Sequence, residues 1–403
     1  MKIALLSYEY PPETGFGGIG TYTWYHARAL AKLGHDVHVL AGATSQTPLY
    51  AREHDGVTVF RYRSDRLWLR ALKLLDLGKM RWTRNRIENA LNMYYGFRTL
   101  AERYGYDLVE MPECGAEGLL VNSLLSCPTF VRLHSPASMI MEFYGQGRHD
   151  ITCCAFLEQR GIHNATALIA SSHFLAGEVR EKLAVTSPIE VISNGIDLDL
   201  FDSASQINFR RKFDIPDDRL MIFFSGRMER RKGIHLFKEI AAAILRDYPV
   251  AFVFAGQDLL GYMADVILTY FKEMPLKGTV QYLGQLKQDD VRSGVSQCDI
   301  FIFPSMWDNC PYSCLEAMAA GRAIVCSNQG GMPELIANGE NGLLAQSGET
   351  ASYIDALIRL IEDRGLRERL GAAARQTVVE RHTDTFIAEE SLKVYRSHLL
   401  EAA

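Results

Sequence analysis

Two carboxylates stand eight positions apart in residues 303–335: Asp308 in a polar turn and Glu316 in the sequence Leu-Glu-Ala-Met-Ala. The pattern around them predicts a strand end, the turn and a helix, because Pro311 is tolerated in a first helical turn and Gly321 is typical of a helix stop. A helix N-terminus attracts anions, so carboxylates beside it are poorly suited to grip a phosphate. They suit the hydroxyl groups of a ligand whose phosphate is bound by other residues, and a sugar attached to a phosphate is such a ligand.

A basic segment could bind that phosphate. Residues 224–233 follow a predicted strand and precede a predicted helix, and their cations are Arg227, Arg230, Arg231 and Lys232. Positive charge is disfavoured at a helix N-terminus, and a bound anion such as a diphosphate would remove that penalty. A solvated basic turn is the alternative interpretation.

Three glycines, Gly17, Gly18 and Gly20, lie between the first predicted strand and the first predicted helix. Their bare backbone would let a ligand approach closely, and helix amides there could meet a phosphate. An ordinary tight turn is the alternative. The spacing does not follow the pattern Gly-x-Gly-x-x-Gly, which argues against a nicotinamide-dependent dehydrogenase.

His134 ends a strand that we predict at residues 129–134. Ligands of doubly wound sheets bind outside the carboxyl ends of the strands, so this position favours a role in binding. A lone histidine is more often structural, and this second interpretation stays open.

These motifs resemble those of the retaining glycosyltransferases of family 4, which have the GT-B fold. That family has an acidic residue, seven intervening residues, a glutamate in a Leu-Glu-Ala-Met-Ala helix, and then Gly-Gly-x-Pro-Glu. Here the matching positions are Asp308, Glu316 and residues 330–334, which read Gly-Gly-Met-Pro-Glu. The family usually has glutamate at the first position, so Asp308 is a departure by one methylene.

The resemblance implies a role for each catalytic candidate. Arg227 and Lys232 would bind the diphosphate and stabilise the departing nucleotide, so that no divalent metal and no other cofactor is needed. Asp308 would hold hydroxyls of the transferred sugar, and His134 would lie near the reacting sugar. Arg230 and Arg231 are expected to face outward.

The resemblance also implies the wider donor site. Gly18 would contact a phosphate, and Glu316 would accept hydrogen bonds from the ribose. The base would lie against loops such as residues 282–286, which contain Leu283. Around the predicted helix start, the donor-binding positions are Asn309, Cys310, Pro311 and Tyr312.

The pattern of the whole chain predicts an α/β protein with two similar halves. Short apolar runs of the buried parallel-strand type recur at 2–7, 35–41, 106–110, 129–134 and 167–171, and then at 219–225, 251–255, 279–282, 300–303 and 323–326. Alternation of these runs with helices, such as 21–33, predicts two doubly wound parallel sheets.

In the GT-B architecture these sheets would form two Rossmann-like domains facing across a cleft. We expect an N-terminal, acceptor-binding domain at 1–195 and a C-terminal, nucleotide-sugar-binding domain at 196–382. The last helix, about 383–403, would pack back on the first domain, as in the family. The site is expected in the cleft.

Composition limits the class of protein. The 403 residues, 48% apolar and with a net charge of −5, are typical of a soluble globular protein and argue against nucleic-acid binding. No apolar run approaches the roughly 18 residues of a spanning helix, and the first apolar stretch is too short for a signal peptide. Eight scattered cysteines without a Cys-x-x-Cys pair indicate reduced thiols and a cytoplasmic location.

Residues 61–86 are basic and contain interleaved apolar side chains, including Trp68 and Trp82. A basic amphipathic segment with tryptophan is typical of an interface with anionic membrane, which would suit a lipid-linked acceptor and a peripheral position on the inner face of the membrane. A solvated helix packed on its own sheet is the alternative.

We therefore expect a metal-independent, retaining hexosyltransferase. It would move a sugar from a nucleotide-diphosphate sugar to a hydroxyl acceptor in polysaccharide, glycolipid or other glycoconjugate biosynthesis. A nucleotide-sugar epimerase or phosphorylase on the same fold, or a non-catalytic nucleotide-sugar-binding protein, are the alternatives. Product formed from nucleotide sugar without any acceptor would favour the epimerase.

Overall fold

The chain forms two compact units in a computed structural model. One unit comprises Met1–Gly195 with Asp384–Ala403, and the other comprises Ile196–Thr383. The structure describes residues 1–14, 17–43, 50–63, 80–203, 207–272 and 274–401.

A mostly parallel sheet forms the centre of the N-terminal unit. Among the described residues its strands are β1 (Lys2–Ser7), β2 (Asp36–Gly42), β3 (Tyr50–His54), β4 (Val57–Tyr62), β5 (Leu108–Pro112), β6 (Thr129–Leu133), β7 (Ala167–Ala170) and β8 (Ile189–Val191). Their order is β3-β4-β2-β1-β5-β6-β7-β8, and β3 pairs antiparallel with β4. The other pairings are parallel.

Helices cover both faces of this sheet, so alternate residues of β1 enter different cores. Ala4 and Leu6 pack with apolar residues of the helix Arg81–Tyr104, whereas Ile3 and Leu5 pack with those of the helices Gly18–Lys32 and Asp384–Glu401. The remaining described helices of the unit are Leu119–Leu124, Ala137–Ile140, the short 3₁₀ helix Met141–Tyr144, Arg148–His163 and His173–Lys182.

The C-terminal unit is a wholly parallel α/β sheet. Its described strands are β9 (Met221–Ser225), β10 (Ala251–Ala255), β11 (Thr279–Tyr282), β12 (Ile300–Phe303), β13 (Ala323–Ser327) and β14 (Leu343–Ala345). The order β11-β10-β9-β12-β13-β14 is that of a Rossmann sheet, in which the direction of winding reverses between the first and fourth strands, here β9 and β12.

The helices of this unit precede, separate and follow its strands along the chain. They are Asp199–Ser203, Phe209–Lys212, Phe237–Asp247, Thr269–Phe271, Gln288–Gln297, Tyr312–Ala319, Met332–Leu335, Thr350–Glu362 and Arg364–Arg381, with the short 3₁₀ turns Arg230–Lys232 and Ile234–Leu236 and the π-helical Met263–Leu268. The prediction of two doubly wound, Rossmann-like sheets is confirmed.

Within the described part of the chain, no helix is long and apolar enough to cross a membrane.

A buried ion pair joins the C-terminal helix to the sheet of the N-terminal unit. Arg132 on β6 lies 3.3 Å from Glu110 on β5, and Arg132 also donates to Ser391 Oγ at 2.7 Å. The hydroxyls of Tyr22 and Tyr395 donate to the same carboxylate at 2.7 and 2.5 Å. Burial alone would raise the pKa of Glu110, but the charge of Arg132 and these hydrogen bonds lower it.

We predict that Arg132→Met destabilises the N-terminal unit by about 3–5 kcal/mol, because it leaves the Glu110 carboxylate buried without its counter-ion. Arg98→Met is the matched control, since the Arg98–Glu102 pair is exposed and should contribute less than about 1 kcal/mol. Denaturant unfolding followed by circular dichroism measures both. Equal midpoints for the two variants would contradict the structural role of the buried pair.

Candidate functional site

The charged site residues predicted in the loops of the C-terminal unit follow the carboxyl ends of β9 and β12. These two strands are parallel neighbours and lie where the winding of the sheet reverses. Ligands of doubly wound sheets bind in the crevice at this place. The loop after β9 contains Arg227 and Lys232, and the loop after β12 contains Asp308.

Backbone contacts fasten these two loops together. Gly233 has φ +76°, and a Cβ there would stand 1.9 Å from the carbonyl oxygen of Pro304, so a residue with a side chain does not fit. The amide of Met306 donates to the carbonyl of Arg231 at 2.8 Å. The turn Arg230–Lys232 is therefore held against the segment that leads to Asp308.

Lys232 and Asp308 form an ion pair, in which Lys232 Nζ donates to Asp308 Oδ2. Arg231 Nη1 lies 3.7 Å from Asp308 Oδ1 and donates to the carbonyl of Trp307 at 3.2 Å. Glu229 Oε1 accepts from Arg231 Nη2 at 2.9 Å and lies 3.6 Å from Arg227 Nη2. Three cations thus converge here on two carboxylates.

The pKa values of both partners of the Lys232–Asp308 pair lie below their ordinary values. Burial alone would raise the pKa of Asp308, but Lys232 and Arg231 outweigh it and hold this pKa below its ordinary value. Burial lowers the pKa of Lys232, and the Asp308 carboxylate opposes that shift. Arg227 differs from both, because about half of its side chain (49%) is exposed.

Asp308 is also held by its backbone. The amide of Gly331 donates to the carbonyl of Asp308 at 2.9 Å. Gly330 has φ +73°, and a Cβ there would stand 2.1 Å from the same carbonyl oxygen. The glycine pair after β13 therefore allows a third loop to close on Asp308.

Glu316 is a buried carboxylate, of which 6% is exposed, in the helix Tyr312–Ala319. Within the described part of the chain, no hydrogen bond or ion pair reaches this carboxylate. Burial raises the pKa of Glu316 to about 7, although the charge of Arg292 opposes this shift. A buried acceptor of this kind is costly unless a ligand donates to it.

The helix start lies where the sequence predicts it. Pro311 directly precedes the helix Tyr312–Ala319, and Asn309, Cys310 and Tyr312 are buried beside it. The backbone amide of Asn309 donates to the Asp308 carboxylate. Leu283 follows β11, two strands away from β9, and its amide donates to the carbonyl of Phe254 at 2.9 Å.

His134 belongs to the N-terminal unit, where it directly follows β6. Its half-buried ring packs edge-on against Tyr22, with the ring centroids 4.8 Å apart. Burial and the charge of Arg132 lower the pKa of His134 to about 3. His134 is therefore neutral near pH 7 and can donate or accept a hydrogen bond.

Gly18 lies in the first turn of the helix Gly18–Lys32, so the predicted start at residue 21 is wrong by three residues. At the residue before it, Gly17, a Cβ would stand 2.0 Å from Glu9 Oε2, the end of a flexible side chain. At Gly18 a Cβ would meet no heavy atom of the described residues within 4 Å. Among the described residues, a side chain at Gly17 would require Glu9 to move, and the space beside Gly18 is open.

Two predictions about the basic segment are wrong. Arg231 does not face outward, since it is 6% exposed and lies between Glu229 and Asp308, whereas Arg230 is exposed. The cations also do not begin an α-helix. They form the 3₁₀ turn Arg230–Lys232, which ends at Gly233. The sequence signal for a buried arginine was Glu229, which stands two residues before it and binds its guanidinium.

Most of the basic segment 61–86 lies outside the described residues, which omit 64–79. At its described ends, Arg61 is buried and donates to the carbonyls of Tyr10, Pro11 and Gly42. Trp82 packs against Ala137, Met141 and Cys154, and Arg86 is buried. These end residues form part of the core of the N-terminal unit.

Comparison with known proteins places both units in one family. The family model described as Glycosyltransferase Family 4 matches residues 16–200, and the model described as Glycosyl transferases group 1 matches residues 205–377. An uncharacterized glycosyltransferase of Methanocaldococcus jannaschii is 27% identical over 98% of each chain.

Solved structures share the fold. A sucrose-phosphate synthase from Thermosynechococcus elongatus superposes with a TM-score of 0.79 at 20% identity, over 100% of both chains. Anabaena HepE in complex with UDP-glucose superposes with a TM-score of 0.70 at 19% identity, over 98% of this chain and 100% of that one. With two Rossmann-like units, each matched by a family model, the chain belongs to the family 4 glycosyltransferases and has the GT-B type of fold.

Proposed function

We propose that this glycosyltransferase moves a hexose, with retention of anomeric configuration, from a nucleotide-diphosphate sugar to a hydroxyl acceptor, without a divalent metal. The observation that carries the proposal is the Lys232–Asp308 pair at the carboxyl ends of β9 and β12. It supplies a cation for a phosphate and an acceptor for a sugar hydroxyl, side by side, at the place where doubly wound sheets bind nucleotides.

In the proposed phosphate half, Arg227 and Lys232 bind the diphosphate, and Gly18 adds a backbone amide. As the glycosidic bond to the diphosphate breaks, negative charge grows on the leaving group, and fixed cations stabilise it without reorganisation. Arg231 stays bound to Glu229 and to the Trp307 carbonyl, and so keeps the turn in place. Lys232 exchanges one anionic partner, Asp308, for another.

In the proposed sugar half, that exchange releases Asp308 to accept hydrogen bonds from sugar hydroxyls. Arg231 remains 3.7 Å away, and its charge favours the ionised form of the carboxylate. Glu316 accepts from the ribose hydroxyls, which would satisfy its buried carboxylate. Leu283 borders the base, and backbone groups beside the helix Tyr312–Ala319 assist.

The donor class is supported by the fold neighbours. HepE binds UDP-glucose, and the superposition covers nearly the whole of both chains, so a nucleoside-diphosphate hexose suits this architecture. Retention rests on the resemblance to family 4, whose members are generally thought to react on one face of the sugar through an oxocarbenium-like state. His134, neutral and beside Tyr22, is proposed to contact the reacting sugar.

Arg227→Ala and Lys232→Ala should each lower turnover by about 100-fold or more, because each removes a fixed charge that stabilises the leaving group. Release of nucleoside diphosphate from UDP-glucose, ADP-glucose and GDP-mannose measures the reaction, with a mixture of hydroxyl acceptors and with a chelator present throughout. The chelator should leave the wild-type rate intact.

Arg230→Ala is the matched control, because Arg230 is exposed in the same turn. Its rate should stay close to that of the wild type, and melting temperatures verify that all three variants fold. Wild-type rates in both Arg227→Ala and Lys232→Ala would refute the phosphate assignment, and abolition of activity by the chelator would refute metal independence.

Glu316→Gln should alter stability in a pH-dependent way. The folded-state pKa of about 7 lies above the ordinary value of 4.5, so the folded protein retains a proton that the unfolded chain has released in this range. The free energy of unfolding therefore falls as pH rises from 4.5 through 7, by about 3 kcal/mol from this group. Relative to wild type, the variant should gain about that amount between about pH 5 and about pH 8 in denaturant unfolding.

The same replacement should weaken donor binding. Ionised Glu316 is the better acceptor for ribose hydroxyls, so the affinity for UDP, ADP or GDP should rise as pH passes 7, and Glu316→Gln should remove this rise and cost about tenfold in affinity at high pH. Isothermal titration calorimetry measures both, and Glu340→Gln, an exposed glutamate of the same unit, is the control. An unchanged affinity and pH profile in Glu316→Gln would exclude it from the site.

Binding to anionic membrane through residues 61–86 remains a hypothesis that rests on the sequence. If it holds, the protein should co-sediment with phosphatidylglycerol vesicles and much less with phosphatidylcholine vesicles, and salt should weaken the binding. Charge reversal of Lys73 and Lys79 should abolish it, whereas reversal of the exposed Arg246 should not. Equal sedimentation with both lipids would end the hypothesis.

A further inference from the structure

The buried side chain of Glu113 accepts hydrogen bonds from the backbone at His134. Glu113 follows β5 and His134 follows β6, and these strands are parallel neighbours whose pairing ends at Pro112 and Arg132. The amide of His134 donates to Glu113 Oε1 and Oε2 at 3.0 and 2.9 Å. The carboxylate therefore continues the hydrogen bonding at the point where the strand ladder stops.

The rest of the turn is bound in the same manner. The amide of Ser135 donates to Glu113 Oε1 at 2.7 Å. Glu158, from the helix Arg148–His163, accepts from the amides of Ala137 and Ser138 at 3.0 and 3.2 Å. Two buried carboxylates thus fix the backbone of residues 134–138.

A ring contact also restrains the imidazole of His134. Tyr22 packs edge-on against the ring at 4.8 Å, and the Tyr22 hydroxyl is bound to Glu110. With the backbone fixed by Glu113 and the ring packed on Tyr22, the direction of the imidazole is set by two independent contacts.

The burial of Glu113 costs folding free energy. It is 3% exposed, and burial raises its pKa to about 8 even though the His134 amide lowers it. Glu158 adds a like charge nearby, and the cation Arg86 lies 3.8 Å from Glu158. A side chain without a carboxyl group would avoid this cost, whereas the two oxygens of Glu113 accept from two amides at once.

We propose that Glu113 is a positioning residue for His134, and that it fixes the direction of the imidazole for the sugar-transfer reaction. This inference rests on the proposed function for its catalytic consequence. Its structural half, the effect of Glu113 on the His134 ring, does not depend on that function.

The test replaces Glu113 by glutamine in the full chain. Glutamine keeps the size of the side chain but turns one acceptor into an NH₂ donor that faces the His134 amide, so the turn must shift. Asp150→Asn is the matched control: Asp150 is also a buried carboxylate of this unit, and it accepts from the amides of Trp82 and Thr83 and not from that of His134.

The first measurement is the ring signal of His134 in protein labelled with ¹³C-histidine, assigned by its loss in His134→Gln. We expect Glu113→Gln to shift or split this signal, and Asp150→Asn to leave it in place. An unchanged signal in Glu113→Gln, or an equal change in both variants, would overturn the positioning role.

The second measurement is turnover with the most active donor among UDP-glucose, ADP-glucose and GDP-mannose. Glu113→Gln should lower kcat at least about tenfold while KM for the donor changes little, because orientation and not binding is lost. Asp150→Asn should retain kcat. A shifted ring signal with unchanged kcat would overturn the catalytic half of the proposal. No turnover in wild type would refute the proposed function, and the ring signal would still decide the positioning role.

Discussion

The ion pair between Lys232 and Asp308 is the contact on which the charged end of the C-terminal sheet depends. Only 13% of the Lys232 side chain and 12% of the Asp308 side chain are exposed, and a largely buried charge without its partner would cost several kcal/mol, so the loops after β9 and β12 must stay together. The glycines follow from this constraint. Gly233 and Gly330 stand where a Cβ would collide with the carbonyls of Pro304 and Asp308, and the loops could not close with larger residues.

The N-terminal unit also contains a buried charge that needs its partner, and there the pair attaches a helix to the sheet. Glu110 is buried against Arg132 and two tyrosine hydroxyls, and this polar cluster attaches the last helix of the chain to β5 and β6. Glu113, three residues on, has backbone amides as its partners in place of a cation. Its raised pKa shows that the amides only partly offset burial. Stabilising and costly carboxylates thus stand side by side at one end of the sheet.

The sequence predicted the parts that depend on local pattern. Buried parallel strands are continuous apolar runs, so ten of the strands could be located, whereas the edge strands β3, β8 and β14 are short or polar and β4 precedes a basic segment. The motif residues Lys232, Asp308 and Glu316 were recognisable by type and spacing. Glu113 was not, because its role comes from contacts with the amides of His134 and Ser135, 21 and 22 positions along the chain. Arg231 was placed wrongly because Trp307 and Asp308 are far along the chain, although Glu229, two residues before it, is a local signal.

Aspartate at position 308 has a physical consequence for the proposed reaction. Its carboxylate is one methylene closer to the backbone than that of the glutamate usual in the family, and its backbone is fixed by the amide of Gly331. The carboxylate therefore cannot follow a ligand outward. A sugar hydroxyl that replaces Lys232 as the donor to Asp308 must come close to the loop, whereas Lys232, on a longer and more flexible side chain, can swing to a phosphate. In the proposed reaction the acid would therefore determine where the sugar binds, and the lysine would adapt to it.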